Sequence, residues 1–298
     1  MSHVITHCLT VVLPKPDEAR LEDILEHVQA GENIQVLSEH KAVDVILDDL
    51  EAPDDLSASL NQFFVHRNLH ADFCLQSLTC ARRKRLLICD MDSTLIGQEC
   101  IDELADFVGL KDKVSKITER AMGGEIDFDE ALRERVGLLE GLPLPILQEC
   151  FDTRITLNPG ARTLAQTMKA HGAKTVIVSG GFTFFAEQVA AKTGFEAAQA
   201  NVLLDDGSHL TGAVAEPILG REAKRRALNN YSAEFGGPEN AVAVGDGAND
   251  LTMIEASGMG IAYCARPTVS GQADCAINHT DLTTALYFQG YSDRDFVS

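Results

Sequence analysis

Positive charge is scarce in this sequence: 25 Lys and Arg stand against 45 Asp and Glu over 298 residues, a formal net charge of -20. That balance excludes nucleic acid and anionic membrane as partners, because both require a positive face. Long apolar runs are missing as well. None approaches the ~18 to 20 residues of a bilayer span, and the opening Met1-Ser-His-Val-Ile-Thr-His7 lacks the basic start and apolar core of a signal peptide. The expectation is a soluble, cytoplasmic protein. There is also no Cys-x-x-Cys pair and no Cys/His cluster spaced for zinc. The eight cysteines, at 8, 74, 80, 89, 100, 150, 264 and 275, read as reduced thiols used as small hydrophobes.

What is there suffices for a full enzyme core and a smaller second unit, given the chain length and 45% apolar content. Residues 1–80 stand apart in charge, with four Lys/Arg against fourteen Asp/Glu. The patterning predicts a strand over Val4–Leu13, a helix over Pro16–Gln29, short strands at Ile34–Ser38 and Ala42–Leu47, a helix over Leu56–Val65 and a strand over Ala71–Leu78. That β-α-β-β-α-β order is the split arrangement of ferredoxin-like α+β folds. The basic run Arg82-Arg83-Lys84-Arg85 then reads as a solvated domain junction.

From Leu86 onward, β-rich apolar runs alternate with helical segments. This is the signature of an α/β, doubly wound, mostly parallel sheet. Three runs end in unusual polar groups. Leu86–Cys89 runs into Asp90-Met-Asp92-Ser-Thr94, Thr175–Val178 into Ser179-Gly-Gly181, and Ala241–Val244 into Gly245-Asp-Gly-Ala-Asn-Asp250. Ligands of such sheets bind beyond the carboxyl ends of the strands, so the three sets can share one pocket. Between the first two lies a helical, strand-poor stretch at about 99–153, broken by glycines 109, 123, 124 and 141, which reads as an inserted helical cap. Near the end, Leu286-Tyr-Phe-Gln-Gly290 reads as the close of the last helix.

Asp90 and Asp92 are two apart in extended chain, so both carboxylates face one site. Crowded carboxylates attract a divalent cation and lift one another's pKa. With Asp246 as a third oxygen ligand, the set suits magnesium, which keeps part of its water shell. A carboxylate is also a competent nucleophile toward phosphorus, and Asp90 takes that role here with Asp92 as acid and base. A phosphorylated substrate would be repelled by a chain of this net charge, so the site needs a local positive centre.

Taken together, Asp90-Met-Asp-Ser-Thr-Leu95, Val178-Ser-Gly-Gly-Phe182 and Val244-Gly-Asp-Gly-Ala-Asn-Asp250 resemble the haloacid-dehalogenase-like phosphatases, and within them the branch acting on phosphoserine. The resemblance spans about residues 86–282. It implies hydrolysis of O-phosphoserine, a small-molecule substrate, through an aspartyl-phosphate, the last step of serine biosynthesis. It implies Mg2+ held by Asp90, the main-chain carbonyl of Asp92, and Asp246. Ser179 and the Gly180 amide would hold phosphate oxygens at a helix start, Lys224 would bind the phosphate, Asn249 would contact substrate and Asp250 would brace the metal site. Glu99 matches the ammonium partner and Arg135 the carboxylate grip, with Met122 and Phe128 as apolar cap residues. The N-terminal unit is similar to ACT-type domains, which implies an amino-acid effector or a homodimer contact. Alternatives are a phosphatase or phosphotransferase acting on another small phosphomonoester, or a non-catalytic amino-acid sensor.

Overall fold

A computed structural model of the chain describes residues 6–48, 50, 52–122 and 125–297, with Met122 described by its backbone alone. The expected start of the first strand at Val4, the breaks at Gly123 and Gly124 and the side chain of Met122 therefore lie outside the described residues.

The N-terminal unit runs β1 (His7–Val12), α1 (Glu18–His27), β2 (Ile34–Ser38), β3 (Ala42–Leu47), α2 (Pro53–Arg67) and β4 (Asp72–Ser77). Its antiparallel sheet has the order β2-β3-β1-β4. Successive side chains of β1 point to opposite faces of the sheet, and the strand is buried along its whole length because both faces are covered. Leu9 and Val11 pack with Val43 and Val45 against Leu21, Ile24, Leu60 and Phe64 of the two helices, whereas Val12 joins the main core on the opposite face.

The larger unit continues with β5 (Leu86–Cys89), then α3 (Cys100–Phe107), α4 (Lys111–Met122), α5 (Phe128–Gly137), α6 (Pro145–Arg154) and α7 (Ala161–Ala170). It proceeds through β6 (Lys174–Phe182), α8 (Thr183–Thr193), β7 (Ala197–Asn201), the hairpin β8 (Leu203–Asp205) and β9 (Leu210–Val214), and α9 (Arg221–Ser232). It closes with β10 (Ala241–Gly245), α10 (Leu251–Ile254), β11 (Met259–Tyr263), α11 (Pro267–Ser270), β12 (Cys275–Ile277) and α12 (Thr284–Phe288). Six strands pair in parallel in the order β12-β11-β10-β5-β6-β7. Continuous apolar runs such as Leu86–Cys89 and Ala241–Val244 are fully buried because helices cover both faces. The chain leaves β5 toward β6 and later returns to β10 on the other side, so the topological switch point falls between β5 and β10, where ligands of open α/β sheets bind.

The helices α3 to α6 form an insertion closed at its neck by the bridge Ile96–Leu157 and by Gly97 N–H donating to the Thr156 carbonyl (3.2 Å). The β8–β9 hairpin, which the sequence reading did not single out, docks on this insertion. Gly141 N–H donates to the Leu210 carbonyl and Leu210 N–H to the Leu142 carbonyl, each at 2.8 Å.

The basic run is a solvated junction only in part: Arg83 and Arg85 are exposed, but Arg82 and Lys84 are not. Arg82 reaches back into the N-terminal sheet and grips Asp44 with both terminal guanidinium nitrogens (2.6 and 2.9 Å), at side-chain exposures of 15% and 1%. Lys84 is buried and donates to the Glu239 carbonyl at 3.0 Å. Arg83 and Arg85 lie over the rings of Tyr291 and Phe235. Asp72 adds a second tie between the units, its carboxylate accepting from the main-chain N–H groups of Asn278, His279 and Thr280. Replacing Asp44 by Ala strands a buried guanidinium, and we expect a loss of roughly 3 to 5 kcal/mol. Urea unfolding monitored on the N-terminal unit reads this directly; a midpoint equal to the parent's would show that the pair is not a structural tie.

Candidate active site

The first side chains past the sheet are set by the ladder itself. Asp90 N–H donates to the Val244 carbonyl (2.9 Å), which prolongs the β5–β10 pairing by one residue and fixes Asp90 at the switch point. Its Oδ1 accepts from the next amide, Met91 N–H, at 2.8 Å. Ser93 then turns through a left-handed backbone (φ 54°), and its hydroxyl donates to Glu99 at the mouth of the insertion (2.7 Å). Thr94 donates to Asp246 at the end of β10 (3.2 Å), while its carbonyl accepts from the Asn158 amide (2.8 Å).

Lys224, on α9, is 1% exposed. Its ammonium bridges Asp90 (2.8 Å) and Asp250 (2.5 Å). Burial by itself would lower the lysine's pKa, but Asp250 and Asp90 outweigh it and hold the group above its ordinary value, firmly charged. Asp250 is fixed further by Gly247 N–H at 3.0 Å.

Carboxylate oxygens of Asp90, Asp246 and Asp250 lie within 4.8 Å of one another. Burial, then Asp250, push the Asp90 carboxyl well above the usual range, against the pull of Lys224. Burial, then Asp250, raise Asp246 to about 6. One ammonium among three crowded carboxylates leaves negative charge uncompensated, and the donor set is all oxygen. That chemistry fits a hard divalent cation.

Asp92 accepts from Cys100 N–H at 3.2 Å, and burial, then Glu99, push its carboxyl up to about 7. It lies over the backbone of Gly181, where an added Cβ would come within 2.5 Å of Asp92 Oδ2 and 3.2 Å of Ser179 Oγ. Glycine at 181 is what lets that carboxylate approach β6. Ser179 is fully buried and its Oγ accepts from Gly181 N–H at 2.9 Å.

The structure differs from the expected helix start at Ser179. β6 continues through Ser179, Gly180 and Gly181 to Phe182, and α8 begins at Thr183 with Phe182 at its N-cap position. The reason is sheet pairing: Phe182 is in register with Asn201 of β7. Ser179 and Gly180 therefore lie in a strand-end bulge and not at a helix terminus.

The remaining sequence-derived positions fall around this centre. Glu99 occupies the N-cap position of α3 at the rim, its side chain turned to Ser93 and not to the helix amides. Arg135, on α5, is partly buried, its Nε donating to the Ala131 carbonyl at 3.2 Å; burial lowers its pKa, while Asp102 and Glu99 pull the other way. Phe128 sets its ring over Gly180 and Gly220, 3.4 Å from where a Cβ would sit on either. Asn249 lies in the turn between Gly247 and Asp250, and a cavity of about 650 Å³ opens beside Asp246, Ser93 and Asn158. Sequence reasoning missed Thr94 as a partner of Asp246, Asn158 as its backbone support, Asp250 as the partner of Lys224, and Asn201, discussed below.

Residues 87–255 match the family model of haloacid dehalogenase-like hydrolases. The chain is 43% identical over 244 residues to a probable phosphoserine phosphatase of Schizosaccharomyces pombe, covering 81% of each. A crystal structure of a HAD family hydrolase from Salmonella enterica serovar Typhi superposes with a TM-score of 0.85 at 28% identity, over 95% of this chain and 98% of that one. A phospho-aspartyl intermediate analogue of phosphoserine phosphatase superposes at 0.63 with 38% identity, over 69% of this chain and 99% of that one.

A parallel sheet with a helical insertion after its first strand, and with paired aspartates, a buried lysine and a Gly-Asp-Gly-x-Asn-Asp turn at its carboxyl edge, defines a haloacid dehalogenase-like hydrolase. Within that class the chain belongs to the phosphoserine phosphatase family. No helix among the described residues is long and apolar enough to cross a membrane.

Proposed function

We propose that this protein hydrolyses O-phosphoserine to serine and inorganic phosphate, with Asp90 as nucleophile and Asp92 as acid and base. The observation that carries the reading is the convergence of Asp90, Asp246, Asp250 and Lys224 at one switch point, with Ser179 and Asp92 meeting across Gly181. An Asp90 carboxylate oxygen attacks phosphorus, the bond from phosphorus to the serine oxygen breaks, and Asp92 gives that oxygen its proton. Asp92 then takes a proton from water, whose oxygen attacks the phosphorus of the acyl phosphate; phosphate leaves and the Asp90 carboxylate is restored. Ser179 and the Gly180 amide donate to the phosphate oxygens, and Lys224 holds the charge that accumulates there. Asp90, Asp246 and the main-chain carbonyl of Asp92 would hold Mg2+, with Asp250 bracing them. When bound, that ion neutralises charge between two anions that otherwise repel.

Glu99 pairs with the substrate ammonium, Arg135 takes its carboxylate, Asn249 contacts the substrate, and Phe128 closes the apolar side. A cytoplasmic location suits the eight free cysteines, six of them buried. The N-terminal unit serves as an amino-acid effector site or a homodimer contact, a role that its βαββαβ order suits. Phosphate release from phosphoserine, phosphothreonine and an aryl phosphate, with and without Mg2+, tests the reading. Preference for the aryl ester, or release indifferent to the metal, would reject it.

Arg135→Ala separates recognition from chemistry. It should raise KM for phosphoserine on the order of 30-fold or more, the cost of an unpaired substrate carboxylate, and leave aryl phosphate hydrolysis near the parent's rate. Equal losses on the two esters would remove Arg135 from the specificity site.

A further inference from the structure

Two segments supply the phosphate donors, the β6 end with Ser179 and Gly180 and the α9 start with Lys224. One buried side chain, with no part in the steps above, joins them. Asn201, the last residue of β7, is 3% exposed. Its Nδ2 donates to the carbonyls of Gly180 (2.9 Å) and Leu219 (3.3 Å), and its Oδ1 accepts from Leu219 N–H (2.7 Å). Leu219 precedes Gly220, the N-cap of α9, and the Gly220 carbonyl accepts from Lys224 N–H at 3.3 Å. Thr183 Oγ1 donates to the Asn201 carbonyl at 3.1 Å, which anchors the asparagine's own backbone.

The sheet register explains why this amide is needed. The β6–β7 pairing steps from Val178–Gln199 to Phe182–Asn201, four residues on one strand against two on the other, so the stretch from Ser179 to Gly181 bulges from the ladder. A carbonyl in a buried bulge needs a partner. Asn201 supplies it for Gly180, while the N–H of the same peptide unit, that of Gly181, goes to Ser179 Oγ. The peptide plane is thereby fixed at both ends. Because Ser179 Oγ accepts there, its own proton is left to donate to an incoming oxygen.

We infer that Asn201 is a positioning residue that sets the Ser179–Gly180 donors at a fixed distance from the Lys224 ammonium, and so tunes the site to a tetrahedral phosphate. The inference rests on the phosphatase reading above. If Asn201 only satisfied buried backbone groups, its loss would weaken the fold without selecting among ligands.

Asn201→Asp keeps the size and the Oδ1 acceptor but sets an oxygen against two carbonyls. Steady-state assays with phosphoserine should give a kcat/KM lower by about 10- to 100-fold, and inorganic phosphate, used as a competitive inhibitor, should bind more weakly by a similar factor. The apparent Mg2+ constant, set by residues that Asn201 does not touch, should stay at the parent's value. Asn201→Ser, smaller and uncharged, repeats the measurement should the aspartate variant not fold, with the same selective loss expected. A parent protein that releases no phosphate from phosphoserine would sink the phosphatase reading itself. An active parent whose variants show a lowered melting temperature but unchanged phosphate inhibition, or phosphate and Mg2+ constants weakened alike, would overturn the role given to Asn201 and leave the reading in place.

Discussion

Asp90→Asn should abolish turnover, a loss on the order of 10⁴-fold or more, while leaving the protein folded. An amide lacks the carboxylate's nucleophilic oxygen, so no acyl phosphate forms and the two-step route is closed. Stability should hold because the amide keeps the size of the side chain in a site where Asp250 and Asp246 crowd Asp90 with like charge. Removing one of three crowded carboxylates relieves that pressure, although Lys224 loses part of its pairing. Phosphate release and a thermal melt on the same sample separate the two effects. Near-normal turnover by this variant would remove the nucleophile assignment, and an unfolded variant would contradict the account of charge at the site.

Lys224→Met should be damaging in both respects. The ammonium is the cation that the buried carboxylates of Asp90 and Asp250 share at 2.8 and 2.5 Å. Methionine fills much the same volume but leaves those charges facing each other without compensation. Breaking a buried pair from one side costs roughly 3 to 5 kcal/mol, which corresponds to a fall in melting temperature on the order of 10 °C. Activity should fall on the order of 10²- to 10³-fold, the scale of losing one preorganised donor to transition-state charge. Because a divalent ion can neutralise the same oxygens, Mg2+ should raise the variant's melting temperature by more than it raises the parent's. A melting temperature that matches the parent's and does not respond to Mg2+ would show that Lys224 does not carry the charge balance of the site.

The parts of this molecule that could be read in advance are those in which local sequence and burial agree. Leu9, Val11 and Val12 in β1, and the apolar runs Leu86–Cys89 and Ala241–Val244, announce strands, and all three strands are buried. Their abrupt ends in aspartates mark the carboxyl edge of the sheet. What escaped depends on partners remote in sequence. Arg82 and Lys84 look like surface charge until Asp44 and the Glu239 carbonyl, 38 and 155 positions away, are brought against them. The β8–β9 hairpin is short, Val202 beside it and Leu204 within it are exposed, and its support comes from the α5–α6 turn, so no strong periodicity announces it. Ser179 reads as a helix start because hydroxyl residues favour that place. The register of Phe182 with Asn201, invisible without the sheet, keeps the strand going. Asn201 itself had no signal, being a lone asparagine whose partners lie 21 and 18 residues away.

Trapping the phosphoryl group in mid-reaction most directly tests whether these strand ends work on one phosphorus atom. Turnover of phosphoserine with Mg2+, quenched in acid and reduced with borohydride, converts an aspartyl phosphate to homoserine, which peptide mass spectrometry can locate. Homoserine at position 90, absent from the Asp90→Asn protein and from samples without substrate, is the expected result. Modification at any other residue, or rapid phosphate release with none at position 90, would contradict it.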